Sequence, residues 1–226
     1  MNALELTRLL RLASPALPVG AFSYSQGLEW AVESGQVKDE DSAHQWIGSV
    51  LDASMARFEL PMLAAFFRAW RGADFERSVT LNGEYLASRE TAELRAESMQ
   101  MGAALLTVLE HDGEHDANRI APLARIDSPV FPNSFAFAAA GWKLTLRDTL
   151  ASYAWSWLEN QVTAAMKLVP LGQRAGQRLL SRLSVSCANA AETAIDLPLH
   201  DWSNFSPMFA IACSRHETQY TRLFRS

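Results

Sequence analysis

Apolar residues recur at intervals of three and four along most of this chain, which is the spacing of one face of an α-helix. Residues 39–58 show it clearly, with three acidic residues crowded into the first turn, where carboxylates favour the helix dipole. In residues 91–109, which show the same spacing, the charged residues Glu93, Arg95 and Glu97 are expected mostly to face outward. The period predicts four more helices, over 60–70, 91–109, 146–169 and 173–194.

Capping residues and prolines predict where these helices begin and end. Thr145 is the expected N-cap of the longest helix, with Asp148 three residues later as a variant of the capping box. That helix should stop at Pro170 and Gly172. Pro61 is expected to break the chain or to restart a helix after it.

Two stretches interrupt the helical pattern, but neither marks a domain boundary. Residues 14–25 hold two prolines and a glycine, and residues 113–132 are polar and acidic. No window shows a convincing alternation of apolar and polar residues, so strands are not predicted. With 226 residues, 49% of them hydrophobic, the chain can bury a proper core. We predict an all-α fold, a single-domain bundle of roughly eight to ten helices over residues 1–226.

Charge and cysteine usage exclude several classes of protein. A net charge of −5 argues against a general nucleic-acid binder, which is normally basic. Cys187 and Cys213 have neither disulfide-framework nor zinc-site spacing, which favours a reducing compartment. The N-terminus does not have the pattern of a signal peptide. The longest uncharged run, residues 128–142, is too short to span a bilayer. We therefore expect a cytoplasmic protein that does not associate with a membrane.

The sequence offers little that resembles an active site. His111 and His115 are four residues apart and could gather a divalent metal on one side of a helix, but Gly113 and the neighbouring charges favour a surface loop. No nucleophile elbow, phosphate-binding loop or HExxH motif occurs. Glu29 and Glu33 share a helical face, where a solvated surface is the simpler explanation. We expect no enzyme and no resident cofactor.

Two features are candidates for protein recognition. Residues 160–191 contain no acid, and Arg174, Arg178 and Arg182 follow a four-residue spacing that makes a basic stripe on a helix. Such a stripe could steer an acidic partner, or it could be an ordinary solvated face. Residues 213–226 mix arginine with aromatic side chains, which are common in binding hot spots, although chain ends are often inert.

Three segments resemble the UreF family of urease accessory proteins. Residues 9–29, LLRLASPALPVGAFSYSQGLE, resemble its N-terminal signature. Residues 167–173, KLVPLGQ, resemble its Lys-x-x-Pro-Leu-Gly-Gln turn. Residues 215–225, RHETQYTRLFR, resemble its C-terminal tail, with Thr221 where serine is expected. These segments are spread over the whole chain, whereas residues 72–126 carry no recognisable motif of the family.

The resemblance implies an all-helical protein that works by binding other proteins. Family members bind an accessory protein called UreD or UreH, and the pair recruits the GTPase UreG and acts on apo-urease. Nickel and a carbamylated lysine are then installed in the urease active site. The resemblance further implies control of the GTPase step, a possible homodimer and an internal water-filled route for nickel. A direct nickel carrier and, less plausibly, a metal-dependent hydrolase are the alternatives.

The resemblance also assigns roles to residues. Those implied in GTPase control are Lys167, Pro170, Gly172, Gln173 and Arg222. Those implied in binding the accessory protein are Arg215, Glu217, Tyr220, Leu223 and Phe224. The motif loop comprises Ser14, Pro15, Pro18, Gly20, Phe22, Tyr24 and Glu29.

Physical chemistry adds expectations for three of these groups. Phe22 and Tyr24 suit packing into the bundle and partner contact equally well. Glu217 and Tyr220, one helical turn apart, are expected to flank Arg222. We also expect that the tail, about residues 215–226, is disordered alone and is ordered by partner binding.

Overall fold

The computed structural model describes residues 1–114 and 117–226, where the α-helices, a π-helix and two 3₁₀ turns account for all regular structure. The α-helical segments are α1 (Ala3–Ala13), α2 (Leu28–Glu33), α3 (Glu40–Val50), α4 (Leu60–Arg71), α5 (Phe75–Ala87), α6 (Ala92–His111), α7 (Ala117–Ala124), α8 (Phe131–Gly141), α9 (Leu146–Leu168), α10 (Gln173–Ile195) and α11 (Pro207–His216). The π-helix (Leu51–Glu59) joins α3 to α4 in one continuous rod. Counting that rod once, the described residues form ten helices in a single domain, which confirms the predicted all-α bundle.

Pro61 does not break the rod, but an α-helical segment, α4, starts at Leu60, so the expected restart is confirmed and the expected break is wrong. An α-helix would pair the N–H of residue 61 with the carbonyl of Arg57, but proline has no N–H. The π-helix widens the turn at this point, and the Leu60 N–H bonds the Met55 carbonyl five residues back. The Arg57 carbonyl accepts a hydrogen bond from the Ser203 N–H at 3.1 Å instead. A contact from a distant loop therefore satisfies the group that the proline leaves free.

The other predicted helices lie within about two residues of their expected positions. Thr145 caps α9 as predicted, since its hydroxyl accepts a hydrogen bond from the Asp148 N–H at 3.1 Å. The helix α9 ends at Leu168, before the predicted stop at Pro170. Within the described chain, no helix has both the length and the apolar character that a membrane crossing requires.

The stretch 113–132 is not simply a break, because it contains α7. Ile120 and Leu123 bury one side of this short helix against the bundle. Pro122 lies inside α7, where it removes one backbone hydrogen bond, and the polar residues around it hide the short apolar pattern. Burial of two side chains thus forms a helix that local preference did not reveal.

The helix α8 occupies the centre of the bundle, and every residue from 132 to 140 is buried. Most of its residues are apolar, as a helix enclosed by others requires, and it packs against α4 and α6. Gly102 of α6 lies against the carbonyl of Pro129, so close that a β-carbon on Gly102 would overlap it. The Ser134 hydroxyl donates to the Gly102 carbonyl at 3.0 Å. This helix crossing therefore depends on the absence of a side chain at residue 102.

One ion pair is enclosed in the interior. The Glu59 carboxylate, at the end of the π-helix, lies 3.2 Å from the Arg89 guanidinium. It accepts hydrogen bonds from the Tyr85 and Tyr153 hydroxyls at 2.8 and 2.6 Å. Burial raises the pKa of both tyrosines well above the usual value, which keeps their hydroxyls protonated as donors. A buried charge pair is tolerated when its remaining lone pairs are satisfied, and these donors meet that requirement.

The predicted basic stripe on α10 is largely paired within the chain. The Arg178 guanidinium donates to the Glu40 carboxylate at 3.0 Å, and Arg182 lies 3.1 Å from Asp41. Both acids stand in the first turn of α3, where they also favour the helix dipole. Arg174 is exposed at the start of α10. The stripe therefore joins α3 to α10 as well as facing solvent.

We predict that Gly102→Ala destabilises the protein and that Gly83→Ala does not. Forcing a methyl group into the contact with Pro129 should lower the free energy of unfolding by about 1–3 kcal/mol. Gly83, in α5, has open space around its α-carbon, so alanine there should be neutral or should stabilise the helix by up to about 1 kcal/mol. Urea denaturation followed by circular dichroism measures both values. Equal stability of the two variants would contradict the close approach at Gly102.

Candidate interaction site

Three segments far apart in the sequence meet in the structure. We name them the motif loop (residues 14–29), the turn (residues 167–173) and the tail (residues 215–226). The main-chain oxygen of Ser226 accepts hydrogen bonds from the N–H groups of Ser25 and Gln26 at 2.8 and 3.0 Å. The Lys167 ammonium lies 5.6 Å from the centre of the Phe224 ring. The tail thus contacts both the motif loop and the turn.

Glu29, in the first turn of α2, holds the tail in place. Its carboxylate accepts hydrogen bonds from the successive N–H groups of Leu223 and Phe224, at 2.6 and 2.9 Å. Glu29 is only 7% exposed, so the interpretation of Glu29 and Glu33 as a solvated pair is wrong for Glu29, although Glu33 is exposed. The tail's amides replace the water that a surface carboxylate would bind.

His216 is fully buried between two carboxylates. Its Nε2 lies 3.1 Å from Glu29, and its Nδ1 lies 2.7 Å from Glu93. The other oxygen of Glu93 accepts a hydrogen bond from Arg222 at 2.5 Å. Acidic and basic groups therefore alternate through this cluster, which joins α2, α6, α11 and the tail.

The tail beyond α11 is not helical, so the expected arrangement around Arg222 is wrong. The helix ends at His216, and Glu217 turns toward α6. The Glu217 carboxylate accepts a hydrogen bond from the Ala92 N–H at 2.8 Å, where a negative charge favours the start of that helix. Tyr220 is fully exposed and Arg222 pairs with Glu93 instead. The three side chains point to different places because no helical turn brings them together.

Several residues of the tail contact the rest of the chain. His216, Phe224 and Ser226 are all buried in this chain. Buried backbone groups need hydrogen-bond partners, and the motif loop supplies them. Arg215, at the end of α11, is exposed. The contacts described here lie within this chain, and the ordering of the tail by a partner stays a prediction.

The two aromatic residues of the motif loop have separate roles. Tyr24 is buried, and its hydroxyl donates to the Gln100 side chain at 2.7 Å. Phe22 is 65% exposed. Gly20, with a φ of 78°, provides the left-handed conformation that starts the short 3₁₀ helix carrying Phe22. The loop thus packs one aromatic residue into the bundle and presents the other.

The beginning of the motif loop leaves α1 and passes over the surface. Ser14 follows the last residue of α1, and its hydroxyl accepts a hydrogen bond from the Ala16 N–H at 3.1 Å. Pro15 and Pro18 are exposed on either side of buried Leu17. Neither proline has an N–H for a helical hydrogen bond, and each disfavours the helical conformation in the residue before it.

The turn presents Lys167 to solvent. Lys167 lies in the last turn of α9, where a cation favours the helix dipole, and its side chain is exposed. Pro170 is exposed after the end of α9, and Gly172 and Gln173 start α10. The structure therefore places four of the five residues implied in GTPase control in one connection between two long helices.

A cavity of about 150 Å³ lies behind the motif loop. Phe22 is at its outer side, whereas Glu59 and Glu97 line its inner part. The Glu97 carboxylate accepts hydrogen bonds from the Gln26 amide at 2.6 Å and from the Ser226 hydroxyl at 2.7 Å. Burial raises the pKa of Glu97 to about 7, although these two hydrogen bonds act in the opposite direction.

Among the described residues, neither the histidines nor the cysteines form a recognisable metal site. The His111 Nδ1 lies 2.7 Å from the Thr107 carbonyl, and His115 lies outside the described residues. Cys187 and Cys213 are buried and free. Across residues 1–114 and 117–226, no group of three or more His, Cys, Asp and Glu side chains is arranged to hold a metal ion.

Sequence reasoning missed the two carboxylates of α6 that hold the tail. Glu93 and Glu97 were expected to face outward, but Glu97 is buried and Glu93 contacts His216. A signal existed for Glu97, because it lies three residues after Leu94 and four before Met101, both of which are core residues. The position of Glu97 within the apolar pattern of the helix therefore predicts that its carboxylate faces inward.

We predict that Glu97 makes the stability of the protein fall as pH rises. Because its pKa is near 7 in the folded chain and 4.5 in the reference state, folding binds a proton between these values. This residue should lower the free energy of unfolding by about 2–3 kcal/mol between about pH 5 and pH 8. In Glu97→Gln that contribution should vanish, since the amide does not titrate. Urea denaturation at both pH values tests this, and identical pH dependence in the two proteins would contradict it.

Comparison with known proteins gives a consistent result. The UreF family profile matches residues 37–184. A urease accessory protein UreF from Azoarcus sp. (strain BH72) is 54% identical, over 99% of this chain and 96% of the relative. One from Dechloromonas aromatica (strain RCB) is 51% identical, over 100% and 99% of the two chains. The profile covers the turn but neither the motif loop nor the tail, whereas the matches to the two relatives extend over nearly the whole chain and confirm the resemblance to the family. The chain therefore belongs to the UreF family of urease accessory proteins.

Proposed function

We propose that this chain is a maturation factor for urease that acts by binding other proteins and not as an enzyme. In this proposal it bridges a UreD/UreH-type accessory protein, a UreG-type GTPase and apo-urease in the cytoplasm, and it gates GTP-dependent nickel delivery. The names of its relatives support a role in urease maturation. The arrangement of the motif loop, the turn and the tail supports the finer assignment.

The observation that carries the proposal is that some side chains of the tail are buried in the bundle while others face solvent. His216 and Phe224 are buried, whereas Tyr220 is fully exposed and Leu223 is 66% exposed. Glu29 binds the backbone between them, so the exposed side chains belong to a segment that is hydrogen-bonded within this chain. A segment held by such contacts loses less conformational entropy when it binds a partner. Tyrosine is also common in binding hot spots. This surface suits an accessory protein.

The turn supports a second contact. Lys167, Pro170 and Gln173 are exposed in the connection between α9 and α10. An ammonium group at a helix end is a compact point charge that suits an acidic surface or a phosphate-bearing protein. We assign this surface to the GTPase, and the resemblance of the turn to the family motif supports that assignment.

We expect that nickel is cargo of the assembly and is not tightly held by this chain alone. Titration calorimetry of the purified protein with nickel should show no tight, stoichiometric binding. Such binding would favour the alternative of a direct nickel carrier. Replacing His111 and His115 with alanine should leave urease activation unchanged, and lost activation would revive a metal-dependent role for this pair.

We predict that Tyr220→Ala combined with Leu223→Ala prevents capture of the accessory protein. Loss of a hot spot should raise Kd by about 30-fold or more, while the exposed positions leave helical circular dichroism unchanged. Deleting residues 215–226 is a weaker test, since it also removes buried His216 and Phe224.

The control for this experiment is Val185→Ala combined with Phe205→Ala, an exposed aliphatic and an exposed aromatic residue outside the tail. The control protein should capture the accessory protein normally. Capture that is unchanged by the Tyr220 and Leu223 substitutions would refute the proposed role of the tail.

A further inference from the structure

Phe224 connects the tail to the turn through its aromatic ring. The side chain is buried, at 7% exposure, and its ring centre lies 5.6 Å from the Lys167 ammonium. This distance is within the range of a cation–π interaction, in which the negative face of the ring attracts the cation. Lysine has a long flexible stem, so an aromatic ring beside its ammonium restricts where the charge can stand.

The position of Phe224 is itself determined by the motif loop. Its N–H donates to Glu29 at 2.9 Å, and the preceding N–H, of Leu223, donates to the same carboxylate. The following residue, Arg225, donates its N–H to the Ser23 carbonyl at 2.8 Å. The backbone is therefore held before, at and after residue 224, and the ring has little freedom to leave Lys167.

We infer that Phe224 is a positioning residue for Lys167. The tail is hydrogen-bonded to Glu29, and through Phe224 it determines where the turn presents the Lys167 ammonium to the GTPase. The inference rests on the proposed function in one respect, which is the role assigned to Lys167. It gives a buried side chain an effect on the GTPase step, through the charge that this side chain positions.

The direct test is spectroscopic and does not depend on urease. In the full-length protein, the ring current of Phe224 should displace the NMR signals of the Lys167 ε-methylene protons from their usual position. Phe224→Leu keeps an apolar side chain in the core and should return these signals to that position. Leu223→Ala, an exposed neighbour, is the matched control and should leave them unchanged. Signals that are the same in Phe224→Leu would overturn the inference.

A reciprocal variant guards against misfolding of Phe224→Leu. Lys167→Met keeps the length of an exposed side chain and removes its charge, so the fold should be preserved. The Phe224 ring signals should shift in Lys167→Met, while those of Tyr24, a buried aromatic residue of the motif loop, stay in place. Unchanged Phe224 signals would also overturn the inference.

The functional test is a double-mutant cycle in the reconstituted system, with nickel content of urease and rate of GTP hydrolysis as readouts. Lys167→Met should change both. Phe224→Leu should change them in the same direction by about two- to fivefold, the equivalent of an exposed cation–π contact. The double variant should equal Lys167→Met alone, because the two residues act through one interaction.

The outcomes separate the inference from the proposed function. No effect of Lys167→Met would refute the GTPase role of the turn, while the NMR signals would still decide whether Phe224 positions the cation. An effect of Lys167→Met with none of Phe224→Leu, or effects that multiply in the double variant, would overturn the positioning inference.

Discussion

The carboxylate of Glu29 is buried where the motif loop meets the tail, and the rest of the site depends on it. An unpaired charge in the interior is strongly unfavourable. Glu29 avoids this because two successive tail amides and the His216 ring surround it. The amides in turn have a carboxylate acceptor in place of the water that would otherwise bind them. The motif loop and the tail therefore satisfy each other's buried polar groups.

The same rule governs the rest of the interior. Glu59 is buried with Arg89, and two tyrosine hydroxyls complete its hydrogen bonds. Glu97 is buried with the Gln26 amide and the Ser226 hydroxyl. Apolar side chains alone would tolerate small shifts of one helix against another, whereas a buried carboxylate is satisfied in few arrangements. These groups favour one relative placement of the elements around the cavity.

The function that we propose, binding of other proteins, would benefit from such a fixed interior. The contacts that bury Phe224 leave Tyr220 and Leu223 outside, and they place an aromatic ring beside Lys167. The two surfaces we propose, for the accessory protein and for the GTPase, therefore depend on the same contacts around Phe224. The cavity behind the motif loop is bordered by the same residues that hold the tail, notably Glu97. Changes at the tail are thus expected to reach several parts of the site.

The amino-acid sequence by itself determined the helical content, most helix positions, the cap at Thr145 and the family, because these follow from patterns within a few residues or from long motifs. It did not determine which polar residues are buried. Glu29 and Leu223 are 194 residues apart, and only the packing of α2 against α11 brings them together. The continuous helix through Pro61 likewise depends on Ser203, a distant donor. Local periodicity reports which face of a helix is apolar, whereas the partner that satisfies a buried carboxylate or a free carbonyl is decided by the tertiary structure.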